Sequence, residues 1–291
     1  MRIVFSGTAP FAVPSLQRLV EAGHEIALVI TQPDRPAGRG LRSRRSPVKQ
    51  AAAALGLDLF QPDRLKDANS LQRLRQVAAD LHVVVAYGQI LPPELLAVPP
   101  MGTLNLHASL LPRHRGAAPI AWAILSGDSE TGVTIMQMDA GLDTGPILTQ
   151  ESMPIGPDET TPSLEARLAE RGAALLVRTV ESLERGAITP RSQPADGATY
   201  ARRLTSEDGK LDPHAMPASE LDRRVRALTP QPGCWITLQG AAIKVLAGHP
   251  GKVPAGDGLP IETVDGWFTV DRVQPAGGRP MAGAAWARGR R

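Results

Sequence analysis

The 291-residue chain carries 32 lysines and arginines against 29 aspartates and glutamates, a formal net charge of +3, and is 42% hydrophobic. It can build two domains or one large one, and its mild overall charge directs the search for a polyanionic partner to local clusters. A single cysteine, Cys234, excludes an internal disulfide and a cysteine-rich metal site, and no apolar run approaches the roughly 20 residues of a membrane span.

In chain order, Arg2–Ser6 reads as a short buried strand. Phe11, Leu16, Leu19 and Val20 recur at helical spacing, with Gly23 placed to end that helix. Glu25–Thr31 reads as a strand, Pro47–Leu55 and Leu71–Ala79 as helices, His82–Tyr87 and Gly102–His107 as strands, Pro119–Leu125 as a helix and Gly132–Met138 as a strand. Strands alternating with helices predict an α/β fold with a largely parallel, doubly wound sheet, in which ligands bind at the carboxyl ends of strands. The turn Gly7-Thr8-Ala9-Pro10 lacks the glycine spacing of a dinucleotide or P-loop fingerprint, so neither NAD nor ATP is expected. Ala187–Ala198, with Pro190, Pro194 and Gly197, reads as a linker. Beyond it, Trp235–Leu238, Ala242–Ala247, Ile261–Val264 and Trp267–Val273 are short strands of a small all-β domain, with a barrel as one closure. The N-terminal apolar run is too short for a signal peptide, and a cytoplasmic, soluble protein is expected.

Three segments carry chemistry. Asn105 and His107 stand two apart on the strand Gly102–His107, so its period of two turns both to one face. An amide donor beside an imidazole suits a carbonyl that becomes an oxyanion, although each residue alone also fits a structural role. After the strand Gly132–Met138, the loop Asp139–Gly145 frames Asp143 with glycines. It reads either as a turn in which Asp143 bonds its own backbone or as a carboxylate aimed into a cleft. Finally, Arg35, Arg39, Arg42, Arg44, Arg45 and Lys49 occupy a long loop and the start of a helix without one intervening carboxylate. This is either a solvated surface or a site for a polyanion's phosphates, and no aromatic residue is interleaved for base stacking.

The chain resembles the methionyl-tRNA formyltransferases. The carriers are Thr31–Gly40, Val83–Gly88, Asn105, His107, Ser109–Pro112, Arg115–Pro119, Thr131–Asp139 and Gly141–Gly145. The resemblance implies a doubly wound, Rossmann-like catalytic domain over 1–188, a linker over 189–204, and a small C-terminal β-barrel (OB-like) domain over 205–291 that binds tRNA. It implies Asn105, His107 and Asp143 as the catalytic trio, and Ser109, Leu110, Leu111 and Pro112 as the tetrahydrofolate-contacting motif. Arg35, Arg39, Arg42, Arg44, Arg45 and Lys49 then form the tRNA-acceptor insertion. The implied reaction moves a formyl group from 10-formyltetrahydrofolate to the amino group of initiator methionyl-tRNA, without metal or membrane, in a monomer. Asn105 would bond the formyl oxygen, His107 would stabilise it or donate a proton, and Asp143 would orient His107 and receive the amine's proton. Arg223, Arg224, Arg226, Lys244 and Lys252 are further candidates for phosphate contact. The chain departs from the family pattern at Ala9-Pro10, Ala108, His114 and Leu211-Asp212-Pro213, none of which replaces a member of the trio. The rival functions are a formyltransferase of ribonucleotide or sugar-nucleotide amines, which needs no arginine-rich loop, and a tRNA-binding protein without catalysis, which needs no intact trio.

Overall fold

In the computed structural model, residues 1–37, 42–253 and 258–289 are described. They form two compact units. One comprises Met1–Gly116, Gly132–Met153 and Glu165–Tyr200, and the other Ala117–Thr131, Pro154–Leu164 and Ala201–Arg291.

The elements of the first half are β1 (Arg2–Gly7), α1 (Val13–Glu21), β2 (Glu25–Ile30), β3 (Arg35–Ala37), β4 (Arg42–Arg44), α2 (Pro47–Ala54), β5 (Leu59–Phe60) and α3 (Ala68–Val77). They continue with β6 (Leu81–Val85), α4 (Pro93–Leu96), β7 (Thr103–His107), β8 (Arg115–Gly116), α5 (Pro119–Leu125), β9 (Glu130–Gln137), β10 (Ile147–Pro154) and α6 (Thr161–Glu184). The first unit is built on a seven-stranded sheet of order β10-β9-β7-β6-β1-β2-β5. The pairs β1–β2, β1–β6, β2–β5 and β6–β7 are parallel, while β7–β9 is antiparallel. The expected doubly wound α/β sheet is therefore present, with β9 joining it antiparallel to β7.

β1 runs between two partners, and Ile3, Val4 and Phe5 are buried to within 1%. This explains its unbroken apolar sequence, each such side chain contributing about 1.5–3 kcal/mol by leaving water. His82 of β6 is also fully buried, with Nε2 2.8 Å from the Ser6 hydroxyl. Burial pushes the imidazole down to about 3, so it sits neutral in this core.

β10 and the 24-residue α6 were not among the elements expected from sequence. Leu164, Leu168, Leu175, Leu176 and Val180 of α6 are buried and recur at helical spacing. At Gly172 an added Cβ would stand 2.8 Å from Leu106 Cδ2 of β7, so glycine lets the helix lie directly on that face of the strand. Leu104 and Leu106 occupy the helix-covered face, which leaves Asn105 and His107 on the other.

At the carboxyl ends of β1, β2 and β6 three loops are laced together. Thr8 Oγ1 donates to the Tyr87 carbonyl at 2.8 Å, and Gln32 Nε2 donates to the same carbonyl at 2.9 Å. Ala86 takes φ 45° there and ends the strand two residues before the expected Tyr87. The segment that was read as a linker is not free-standing up to Tyr200, since Arg191 and Ile147 exchange backbone hydrogen bonds of 2.8 and 2.7 Å.

The division of the chain falls within β11 (Tyr200–Ala201), and the second unit includes α5, α7 (Ala218–Leu228), β12 (Cys234–Leu238), β13 (Ala241–Gly251), β14 (Leu259–Glu262), β15 (Trp267–Pro275), β16 (Met281–Ala282) and α8 (Gly283–Arg288). Its sheet runs β12-β13-β15-β14 with β16 on β15, in antiparallel register. The register slips at Ala247 of β13, a bulge that helps curl the sheet. α7, also not anticipated, packs Leu221, Val225 and Leu228 inward. Arg224 bonds Glu220 at 3.0 Å and Arg226 bonds Asp222 at 2.8 Å, so two of the candidate phosphate contacts are engaged in ion pairs on their own helix. The Cys234 thiol is buried, which pushes it up to about 12 and leaves it unreactive.

Candidate active site

β7 delivers Asn105 and His107 at the end where the parallel register Val84↔Asn105 aligns it with β6. His107 is 5% exposed and Asn105 half-buried. Among the described residues none makes a hydrogen bond to the Asn105 carboxamide, which leaves its N–H groups open to a ligand.

The imidazole is held from both sides. Nε2 lies 2.9 Å from the His114 carbonyl oxygen, which can only accept, so Nε2 donates there. Nδ1 is then the nitrogen turned to Asp143, whose Oδ2 is 3.6 Å away. The shorter contact belongs to the His114 carbonyl, a group that side-chain motifs do not reveal. His114 itself sits at φ 56°, and its backbone N–H donates to Thr199 Oγ1 at 2.8 Å.

Asp143 adopts φ 53°, the left-handed region that aspartate tolerates better than most residues. Its Oδ2 accepts the Gly116 N–H at 2.8 Å. The local turn is made by a different carboxylate. Asp139 accepts the Gly141 N–H at 3.0 Å and the Thr144 hydroxyl at 2.8 Å. The two aspartates divide the labour: Asp139 folds the loop, while Asp143 Oδ2 bonds Gly116 N and faces His107 Nδ1.

Ser109, Leu110, Leu111 and Pro112 form the loop leaving β7. Ser109 is fully buried and its Oγ donates to the Arg113 carbonyl at 2.6 Å. Leu111 packs with Met136 and Ile147, so the side chains of Ser109 and Leu111 shape the loop from within, while Leu110 and Pro112 are half-buried. Thr134 of β9 pins this loop. Its hydroxyl donates to Ser109 O at 2.6 Å and accepts from Leu111 N at 3.2 Å and Gln150 Nε2 at 3.0 Å. Thr134→Val should therefore destabilise the fold by about 1–3 kcal/mol for each buried group left unpaired, read as a lower urea midpoint.

The basic segment is a ribbon rather than a simple loop, with β3 and β4 paired antiparallel in the register Arg35↔Arg44 and Ala37↔Arg42. Arg39 lies outside the described residues. Arg45 is exposed. Lys49 is not free for a phosphate: its Nζ donates to Asp34 Oδ2 and Gln61 Oε1, each at 2.7 Å. Hydrogen bonds from Lys49 and Gln61 hold the Asp34 carboxyl below its usual range. Asp34 precedes the arginine-rich run by one residue, which is how a stretch without internal carboxylates still acquires a counter-charge.

Two exposed apolar side chains escaped the sequence reading. Ile90 is 92% exposed on the loop after β6, and Leu142 is 61% exposed beside Asp143. Their signal was legible only as isolated apolar residues within turns. Among the described residues no group of three or more His, Cys, Asp and Glu side chains is placed to hold a metal, and no helix is long and apolar enough to cross a membrane.

The profile of the family described as Formyl transferase matches residues 1–180, and that described as Formyl transferase, C-terminal domain, matches residues 203–291. The chain belongs to the formyl transferase family. It is 52% identical over 301 residues to the methionyl-tRNA formyltransferase of Halorhodospira halophila, an alignment covering all of this chain and 96% of that protein. It is 46% identical over 300 residues to the methionyl-tRNA formyltransferase of Chromobacterium violaceum, covering all of this chain and 97% of that protein. Among solved structures it is similar to HypX from Aquifex aeolicus in complex with tetrahydrofolic acid, with a TM-score of 0.70 at 19% identity. That match spans 99% of this chain and 47% of HypX. It is also similar to an N-formyltransferase from Helicobacter canadensis solved with folinic acid and dTDP-3-aminofucose, with a TM-score of 0.67 at 17% identity, covering 97% and 98% of the two chains. At these identities the solved structures speak for the fold, which this formyl transferase shares.

Proposed function

We propose that this formyl transferase moves the formyl group of 10-formyltetrahydrofolate to the α-amino group of methionine on initiator methionyl-tRNA, with Asn105, His107 and Asp143 as its catalytic residues. The observation that carries the reading is the open Asn105 carboxamide on the same strand face as His107, whose Nδ1 faces the Asp143 carboxylate at 3.6 Å. The full-length relatives named methionyl-tRNA formyltransferase support the choice of amine. Catalysis is assigned to 1–188 and tRNA binding to 205–291 together with the ribbon, 189–204 lying between them.

Free α-amines titrate near about 8, so a neutral amine is accessible without a strong base. Its lone pair attacks the formyl carbon, the new C–N bond forms, and the carbonyl pair moves to oxygen. Asn105 N–H meets that developing charge, joined by His107 Nδ1–H when the ring is doubly protonated, since Nε2–H is held by the His114 carbonyl. Asp143 accepts the proton lost from the amine, and the C–N10 bond then breaks with that proton passing to N10 of the departing tetrahydrofolate. The fold of Ser109–Pro112, with Leu110 and Pro112 reaching its surface, supports a donor lying along this loop. The parallel β6–β7 register brings the Ile90 loop to the same end of the sheet, adding an apolar surface for the folate rings.

Arg35, Arg39, Arg42, Arg44 and Arg45 are assigned to the tRNA phosphates, with Lys49 supporting the ribbon through Asp34 instead. The test is formyl transfer from 10-formyltetrahydrofolate with methionyl initiator tRNA, deacylated tRNA and glycinamide ribonucleotide in parallel. Transfer to the charged tRNA alone is expected; turnover of the small amine alone overturns the tRNA assignment. In the same assay Arg42→Ala should weaken methionyl-tRNA binding and lower its log–log salt slope by about 1 while leaving folate binding unchanged.

A further inference from the structure

Residues 191–199 have the composition of a connector, yet they touch both loops that build the active site. Arg191 pairs with Ile147 through two backbone hydrogen bonds, and Thr199 bonds Pro112 O, His114 N and Arg115 N. Between these anchors lies Gln193, half-buried and with every polar atom of its carboxamide engaged. Nε2 donates to the carbonyl oxygens of Asp143 and Gly145, both at 2.8 Å. Oε1 accepts from Arg115 Nε at 3.0 Å and from Arg115 Nη2 at 2.6 Å. The orientation of the amide is fixed by its neighbours, since a guanidinium only donates and a carbonyl only accepts.

These four bonds bracket Asp143. The residue holds φ 53°, a conformation that persists when its surroundings over-determine it. Gln193 grips the carbonyl of Asp143 and that of the residue two further on, while Gly116, the neighbour of Arg115, grips its carboxylate at 2.8 Å. One loop thus holds the side chain of Asp143 directly and its backbone through Gln193.

We infer that Gln193, locked by Arg115, is a positioning residue that sets the Asp143 carboxylate against His107. This rests on the catalytic role assigned to Asp143. Glutamine is chemically specific here. A glutamate keeps its length and its bond to Arg115 but has no donor for the two carbonyls, and it brings a second negative charge to the Asp143 loop. An alanine removes both halves of the clamp.

The experiment measures kcat, both KM values and thermal stability for Gln193→Ala, Gln193→Glu and Asp143→Asn, and for Gln193→Ala combined with Asp143→Asn. A displacement of a reacting group by about 1 Å costs on the order of 10²-fold, so Gln193→Ala should lower kcat by about 10–100-fold with both KM values near wild type and the enzyme fully folded at the assay temperature. Gln193→Glu should lose turnover while keeping stability, because Arg115 remains paired. In the Asp143→Asn background, Gln193→Ala should cost little more. If Asp143→Asn loses turnover but Gln193→Ala does not, or if the two losses multiply, the inference falls while Asp143 keeps its role. A loss at Gln193 that comes from partial unfolding at the assay temperature or from a rising KM also overturns it. Wild-type turnover in Asp143→Asn removes the catalytic role and this inference together.

Discussion

Asn105→Ala is expected to lower kcat by about 10²–10³ with the KM for folate and for methionyl-tRNA nearly unchanged. The expectation follows from three features. Asn105 lies on the same face of β7 as His107, its amide makes no hydrogen bond among the described residues, and it is half-buried where water competes less for a developing charge. Removing a donor that acts only as the tetrahedral intermediate forms lowers kcat and kcat/KM together. Truncation also leaves no buried partner unpaired, so the unfolding midpoint should stay in place. His107→Ala is the useful contrast, because it abandons the His114 carbonyl to which Nε2 donates at 2.9 Å. It should lose both turnover and some stability, about 1–3 kcal/mol for the orphaned carbonyl. Steady-state kinetics with both substrates, paired with urea unfolding, separates the two effects. An Asn105→Ala enzyme with wild-type kcat would remove the oxyanion role.

Gly145→Ala is expected to damage the site through the backbone. A Cβ at this position falls on the Gln137 carbonyl oxygen, whose strand cannot move without disturbing the pairing of Gln137 with Leu104. The Asp143 loop must give instead. Overpacking of this kind costs about 1–3 kcal/mol, and a clash with backbone falls at or above the upper end. The same movement pulls the Gly145 carbonyl from Gln193 and shifts Asp143, with a kcat loss on the order of 10²-fold for about 1 Å of displacement. Gly156→Ala serves as the control, since its added Cβ would meet only Glu159 Oε2 at 3.6 Å, an ordinary contact. Calorimetry and single-turnover formyl transfer should show Gly145→Ala impaired in both and Gly156→Ala in neither.

Much of the first unit was legible because its signals are local. The apolar runs of β1, β2 and β6 are continuous where both faces are covered, and Gly23, at φ 80°, ends the first helix where it was expected. The period of two on β7 paired Asn105 with His107 before any tertiary contact was known. Helices α6 and α7 had equally local signals in their leucine and valine spacing, so their absence from the sequence reading reflects an unused pattern, not a hidden one. The two aspartates of the 139–145 loop were different. Both stand in glycine-flanked turns, and which of them folds the loop depends on Thr144 and Gly116, the second of which comes from a separate loop. The apparent absence of counter-charge in the basic segment likewise depended on Asp34, just outside it, turning back to Lys49.

By itself, the sequence determined the alternation of strands and helices, the placement of Asn105 and His107 on one face, the arginine-rich stretch and the resemblance to formyltransferases, since backbone periodicity and residue chemistry are local properties. Only the tertiary structure decided that the His114 carbonyl holds the imidazole, that Asp143 rather than Asp139 faces it, that Lys49 is engaged by Asp34, and that Gln193 clamps the Asp143 loop. Each of these depends on which atoms of separated segments come within about 3 Å, and hydrogen bonding at that range is set by the packing of the whole sheet and its loops.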